Sequence, residues 1–464
     1  MVTLGKQVVR IQDTILHQTL FMNWPQLLSL KKYGDTQRRD RLEQDELRLG
    51  FEVDYDRIIF SQEFRSLQDK TQVIPLSQTG FVHTRLTHSL EVSVVGRSIG
   101  RMAGKKILER HPELLKMGYK LQDFGSIVCA AALAHDIGNP PFGHSGEKSI
   151  GNYFASGKMQ MVMSQLSRKQ QHDLLHFEGN ANGYRLLNLD KPAAPGGLRL
   201  SYATLGAFIK YPKESLPVKP TAHISQKKYG IFQSDLEHFK DVASELGLDD
   251  NLEETGFYNR HPLAYLVEAA DDICYSIIDF EDGINLGWIS EDYALEHLIN
   301  LVRSNIRTDV YSNLETTAQR LGYLRSLAIN NLITDCVNIF MDNEEAILKG
   351  QFAHALMDRS TYKAQVDDIL SITVKNVYKN TDVVQKEVSG YKILGDILDA
   401  MVTAMLNDLS GTLTTYDKLI LDLTAVELNE SDEVYDRLLT CCAYVSSLTD
   451  SKSMALFKVI NGSI

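Results

Sequence analysis

Apolar residues recur at three- and four-residue spacing along most of this chain, and most steadily towards its C-terminal end. Tyr265–Phe280, Leu295–Arg303, Ser326–Phe340 and Glu433–Leu448 each carry such a stripe, the mark of a helix with one buried face. All eleven prolines lie at or before Pro262, so no ring interrupts a helical hydrogen-bond ladder from 263 to 464. Ile127–Ala134 is apolar all round and predicts a buried helix ending directly in His135-Asp136. Five prolines fall between Lys191 and Pro220, with Gly196-Gly197 among them, which predicts a long loop or irregular insertion over 190–235. Val73–Val82, with Pro75 and Gly80 inside it, predicts a short hairpin. There is no fixed-period repeat. The expected fold is all-α with one small β-hairpin: an N-terminal helical arm over 1–56, a core over 57–285 and an elaborated helical C-terminal part over 286–464.

The bulk numbers narrow the function classes. Hydrophobic residues make up 44% and charged residues 23% of 464, a globular profile. A net charge of −12 argues against a general nucleic-acid coat, because covering a phosphate backbone needs surplus Lys and Arg. A pocket for a small anion needs only a few local cations. The five cysteines show neither metal-finger nor CxxC spacing, and an odd number fits a reducing compartment. No secretory leader is visible, and the longest apolar stretch is too short to span a bilayer. The expected location is cytoplasmic, with no membrane contact.

Three clusters carry chemistry. Thr84-Arg85-Leu86-Thr87-His88-Ser89-Leu90-Glu91 places a histidine at the opening of a helix. Ala134-His135-Asp136-Ile137-Gly138 closes the apolar helix and runs into Pro140-Pro141-Phe142-Gly143-His144-Ser145-Gly146-Glu147. Glu268-Ala269-Ala270-Asp271-Asp272-Ile273-Cys274-Tyr275 continues to Asp279. Imidazoles with one or two carboxylates suit a divalent first-row metal (Mn, Fe, Co, Ni or Zn) or Mg. With no Cys among the candidates, a purely structural zinc site is disfavoured. Neighbouring His and Asp differ by about 100° on a helix, so both reach one ion only where the helix ends, as Gly138 predicts. Asp271 stands in an otherwise apolar stretch, where an unpaired carboxylate is costly. A lone histidine ahead of a helix is commonly a satisfied polar residue; the joint occurrence of these clusters is what points to a metal. His172 and His176 share a further His-x-x-x-His spacing, but the second position is Asp173 rather than the Glu of a zincin.

These motifs, together with Phe177-Glu178-Gly179-Asn180-Ala181, resemble the deoxyguanosinetriphosphate triphosphohydrolase (dGTPase) family of the HD-domain superfamily. The likeness is strong over 57–283 and faint at Tyr444–Leu456. It implies an HD phosphohydrolase core over 57–285 and a C-terminal part that packs on it and completes a nucleotide pocket. The implied reaction is metal-dependent hydrolysis of a deoxynucleoside triphosphate (dGTP or a broader set) to the deoxynucleoside and intact tripolyphosphate. By the same resemblance His88, His135, Asp136 and Asp271 would bind one divalent ion per subunit. His144 would be the catalytic histidine, with Glu147 behind it. Arg85 would reach the phosphates, Gln72 the sugar, Tyr275 the deoxyribose face and Asp279 the 3′-hydroxyl. Lys210, Tyr211 and Lys228 would contact the triphosphate, and Asn180 the substrate. The family assembles into rings, often hexamers, and some members respond to nucleotides or single-stranded DNA.

The spacing agrees with these roles. Asp271, Tyr275 and Asp279 are four apart and follow one helix face; His144 and Glu147 are three apart, close enough for the carboxylate to fix the imidazole tautomer. Two readings compete: another HD phosphohydrolase acting on an alarmone or cyclic nucleotide, and a non-catalytic nucleotide-sensing regulator. No acidic pair follows shortly after His135-Asp136, and the Gly-Tyr-Pro signature of the cyclic-dinucleotide branch is absent. A P-loop NTPase is excluded, since no G-x-x-x-x-G-K-[ST] occurs.

Overall fold

A computed structural model describes residues 21–463 except 45–49, 74–81, 191–194, 250–251, 253–256 and 427–432. The longer helices are α1 (Gly50–Ile59), α2 (Arg85–Arg110), α3 (Leu121–Ala134), α4 (His144–Phe154), α5 (Arg168–Leu175), α6 (Gly179–Asn188), α7 (Tyr202–Phe208) and α8 (Leu236–Leu246). They continue with α9 (Pro262–Asn285), α10 (Glu291–Val302), α11 (Thr317–Asp342), α12 (Lys363–Thr373), α13 (Thr381–Leu409), α14 (Thr415–Thr424), α15 (Val434–Ser447) and α16 (Asp450–Ile460). Each stripe read from the Pro-free region lies on a helix: α9, α10, α11 and α15. The fold is all-α.

The expected hairpin over Val73–Val82 falls largely outside the described residues; beside it, Thr71 and Thr84 form an isolated antiparallel bridge. The arm expected to be helical over 1–56 has, within Phe21–Gln44, only the short helix Trp24–Leu27 and irregular chain. It is pinned by side chains instead, with Trp24 donating to Glu344 and Arg41 pairing with buried Asp123. The Pro-rich segment is more ordered than its composition predicts. It contains α7, whose residues are all buried, and a bridge between Glu214 and Ile231.

Apolar burial gathers in two cores. The first unites α1–α3 with α7–α12. The second unites α4 and α5 with α13, α15 and α16. In the first, α2 and α3 approach closely because Gly100 has no side chain: a Cβ there would lie 2.8 Å from the Phe124 carbonyl oxygen. The two cores are tied where the chain leaves α3. Lys70 Nζ donates to the carbonyls of Asn139 (2.9 Å) and Ser446 (2.5 Å). Asp450, opening α16, accepts from the Thr71 amide and hydroxyl on one oxygen and from the Phe142 amide on the other. Among the described residues the buried Lys70 amine pairs with no carboxylate, and desolvation pulls its pKa down to about 7.

Candidate active site

Thr84 caps α2. Its hydroxyl accepts from the Thr87 amide while its own amide donates to the Thr87 hydroxyl, a reciprocal cap that sets His88 one turn in, on the buried side. α3 stops at Ala134 because the chain must turn at Gly138, where φ is +102° and a Cβ would sit 2.2 Å from the Gly183 nitrogen. The turn carries His135 and Asp136 off the helix end. The middle of α9 supplies Asp271 opposite them.

Three of the four expected ligands converge: His88, His135 and Asp271 each offer one atom, all within 4.8 Å of one another. His88 Nε2 is 3.2 Å and His135 Nε2 3.4 Å from Asp271 Oδ1. Asp136 stands at the rim of this group, its Oδ1 3.7 Å from His135 Nε2. The donor set fits a divalent metal. His135 Nδ1 lies 2.7 Å from the Ala132 carbonyl, so Nδ1 carries the proton and Nε2 presents its lone pair. Among the described residues buried Asp136 Oδ2 has no hydrogen-bond partner, an expensive arrangement unless the carboxylate has charge to neutralise.

Cations flank the ligands. Arg85 Nη1 lies 2.6 Å from Asp136 Oδ1, which also accepts from Asn139 Nδ2. Lys210 Nζ lies 2.5 Å from Asp271 Oδ2. Burial alone would raise both aspartates, but Lys210 and His135 hold Asp271 well below the usual carboxylate range, and Arg85 lowers Asp136. Arg85 also reaches towards α4: its Nη2 is 3.9 Å from where a Cβ on Gly143 would stand.

At the start of α4, His144 Nδ1 is 3.0 Å from Glu147 Oε2, and Glu147 Oε1 accepts from the Gly179 amide at 2.8 Å. The His144 side chain is 80% exposed whereas that of Glu147 is 12% exposed. Behind them Lys228 Nζ is 3.0 Å from Glu178 Oε1, which also accepts from Asn180 Nδ2 at 2.7 Å. Tyr211 is buried close by.

Further along α9, the Tyr275 ring stacks on Tyr378 with centroids 5.9 Å apart and planes 11° from parallel. The Tyr378 hydroxyl donates to Asp279 Oδ2, while buried Asp279 Oδ1 has no partner among the described residues. Burial pushes the Asp279 carboxyl up to about 7. Gln72 is half-buried, and its Oε1 has no partner among the described residues. The His172 and His176 rings pack on each other at 4.2 Å, and among the described residues no third metal-type ligand joins them.

Sequence reasoning missed Tyr378, Glu178, Asn139 and Lys70 as parts of this surround. Glu178 and Asn139 lie inside motifs that were recognised, so their positions were available. Tyr378 ends a π-helical turn, Val374–Tyr378, after α12, and π-turns interrupting helices are frequent at functional sites.

This arrangement belongs to a known class. The HD domain profile matches residues 85–179, and together with the whole-chain relatives it makes the protein an HD-domain phosphohydrolase. Its similarity to whole proteins is more specific. It is 38% identical over 449 residues to a deoxyguanosinetriphosphate triphosphohydrolase-like protein of Synechocystis sp., covering 95% of this chain and 99% of that one. A Pseudomonas aeruginosa protein of the same description is 36% identical over 450 residues, covering 95% of this chain and 99% of its own. A deoxyguanosinetriphosphate triphosphohydrolase of Yersinia enterocolitica is 35% identical over 398 residues, 75% of each chain. The chain belongs to the deoxyguanosinetriphosphate triphosphohydrolase-like family. Among the described residues no helix is long and apolar enough to cross a membrane.

Proposed function

We propose that this enzyme hydrolyses deoxynucleoside triphosphates, dGTP or a broader set, to the deoxynucleoside and tripolyphosphate. The observation that carries the reading is the sequence of chemistries along α9. A metal-type carboxylate, Asp271, is followed on the same face by an aromatic platform, Tyr275 on Tyr378, and then by a buried carboxyl, Asp279, one oxygen of which has no partner among the described residues. A phosphate at one end, a sugar in the middle and a hydroxyl at the far end match that order.

His88, His135, Asp136 and Asp271 would hold the divalent ion, whose chemistry there is Lewis-acid polarisation of a phosphoryl oxygen. Arg85 and Lys210 would turn from the ligand carboxylates to the triphosphate, offsetting its charge, with Lys228 and Tyr211 further out. Gln72 and Asn180 would contact the substrate from the two sides of the cleft. His144, with Nδ1 held by Glu147, would exchange a proton at Nε2 with water or with the leaving 5′ oxygen. Tyr378 comes from the C-terminal part, which supports the reading that 286–464 completes the pocket.

The test is product analysis of the metal-loaded protein with each of the four deoxynucleoside triphosphates and with GTP. Release of tripolyphosphate and deoxynucleoside is expected. Orthophosphate or pyrophosphate without tripolyphosphate would sink the reading and favour the alarmone or cyclic-nucleotide alternative.

A further inference from the structure

Glu147 is the carboxylate that orients His144, yet it is not the only carboxylate in its surroundings. Buried Glu178, at the start of α6, is close enough for each to feel the other's charge. The Lys228 ammonium, from the Pro-rich segment, is also felt by both. Facing Glu147 are His144 on its own helix, Lys228, Glu178 and the Gly179 amide on α6; buried Tyr229 is near enough to feel both carboxylates. One ammonium and two carboxylates allow two pairings. In the structure Lys228 Nζ takes Glu178 Oε1 at 3.0 Å, leaving Glu147 Oε2 to His144 at 3.0 Å and Glu147 Oε1 to the Gly179 amide at 2.8 Å.

We propose that Glu178 is a positioning residue: it holds the Lys228 ammonium so that Glu147 remains the partner of His144. This deepens the proposed function and rests on His144 acting in proton transfer. Were Glu178 uncharged, Glu147 would be the remaining carboxylate whose charge the half-buried ammonium feels, and a carboxylate contact to an ammonium is stronger than one to an uncharged ring. The imidazole would lose the acceptor that fixes its proton on Nδ1. An orienting carboxylate matters chiefly through the tautomer it selects. Burial and the neighbouring Glu147 charge raise the Glu178 carboxyl, while Lys228 and Asn180 work to keep it ionised, as the pairing requires.

The test uses the full-length protein with 15N-labelled histidine and no substrate, so the readout does not depend on turnover. Ring-nitrogen signals of His144, assigned by their loss in His144→Ala, report which nitrogen carries the proton. The wild-type protein is expected to hold it on Nδ1. Glu178→Gln keeps the side-chain acceptor at the start of α6 and removes only the charge; His144 should then populate both tautomers. In turnover the same variant should lose about tenfold in kcat, part of what a positioned acid–base group contributes, with KM changed less than about twofold. Adding Lys228→Met to Glu178→Gln removes the competitor, and the single tautomer should return. The kcat of the double variant should come within about threefold of Lys228→Met alone, a baseline that takes any phosphate contact of Lys228 out of the comparison. An unchanged tautomer in Glu178→Gln overturns the proposal. So does a disturbance that Lys228→Met fails to reverse, because that marks a packing role. The tautomer changes in a protein that releases no tripolyphosphate would refute the substrate reading and support this one.

Discussion

The two chemical halves of the site are built in opposite ways. The metal-type half is embedded in the first core: the side chains of His88 and His135 are 1% and 4% exposed, and their carriers α2 and α3 pack tightly together. The half proposed to handle the proton stands on the second core through α4, and its histidine is 80% exposed, steered by one carboxylate. Burial suits ligands, which need fixed distances and a dry surround that strengthens their charges. Exposure suits a group that must meet water and substrate in turn. The dividing line between the halves is the chain from Gly138 to Gly143, where the two cores are stitched together.

That contrast can be broken outright. Asp271→Ala should abolish both metal content, measured by elemental analysis, and tripolyphosphate release; a variant that keeps its metal would remove Asp271 from the ligand set. His144→Ala should leave metal content untouched and cost about 10²–10⁴ in kcat; normal turnover would refute its role. If both variants lose metal, the halves are not separable. Tyr378→Phe sharpens the comparison from a third side. It leaves an acceptor on buried Asp279 without its partner, a penalty of about 1–3 kcal/mol, so KM for dGTP should rise about tenfold with little change in kcat.

The smallest effect concerns the frame of the buried half. His83 sits just ahead of the Thr84 cap, with Nδ1 2.7 Å from Asp282 on α9 and Nε2 3.3 Å from Glu91 on α2. Its bonds to Asp282 and then Glu91 push its pKa up to about 10. A histidine whose folded pKa is raised contributes stability that is complete below its unfolded value, about 6.5, and is lost as pH climbs through the folded value. The melting temperature of wild type should therefore exceed that of His83→Ala by a few degrees at pH 6, and the gap should close by pH 10. A gap independent of pH would show that the ring acts by packing alone.

Much of this was legible in the chain, for reasons that can be named. Apolar periodicity without proline found α9, α10, α11 and α15, because a buried face constrains sequence along its whole length. The all-apolar α3 and the Gly138 turn were visible because a helix end that carries two candidate ligands off its axis needs a residue free to adopt positive φ. Within the arm expected to be helical over 1–56, the irregular stretch Phe21–Gln44 takes its order from distant partners such as Glu344 and Asp123 rather than from its own periodicity. Tyr378 carries no local signal; its role depends on α12 and its π-turn returning to α9. Lys70 gives the plainest case. A lysine in a sequence reads as solvated, and the carbonyls of Asn139, in the turn after α3, and Ser446, on α15, explain its burial.

The anchoring of the post-α3 turn by Asp450 and Lys70 also limits what the recognisable HD segment can be. Excised as a fragment, 85–179 would lose the carboxylate that accepts from the Phe142 amide and the ammonium that donates to the Asn139 carbonyl. It would also expose the apolar face that α4 turns to α13. What similarity detects as a module is therefore a unit of inheritance rather than of autonomous folding. Cutting the chain between α14 and α15 should disorder a turn that begins some three hundred positions upstream.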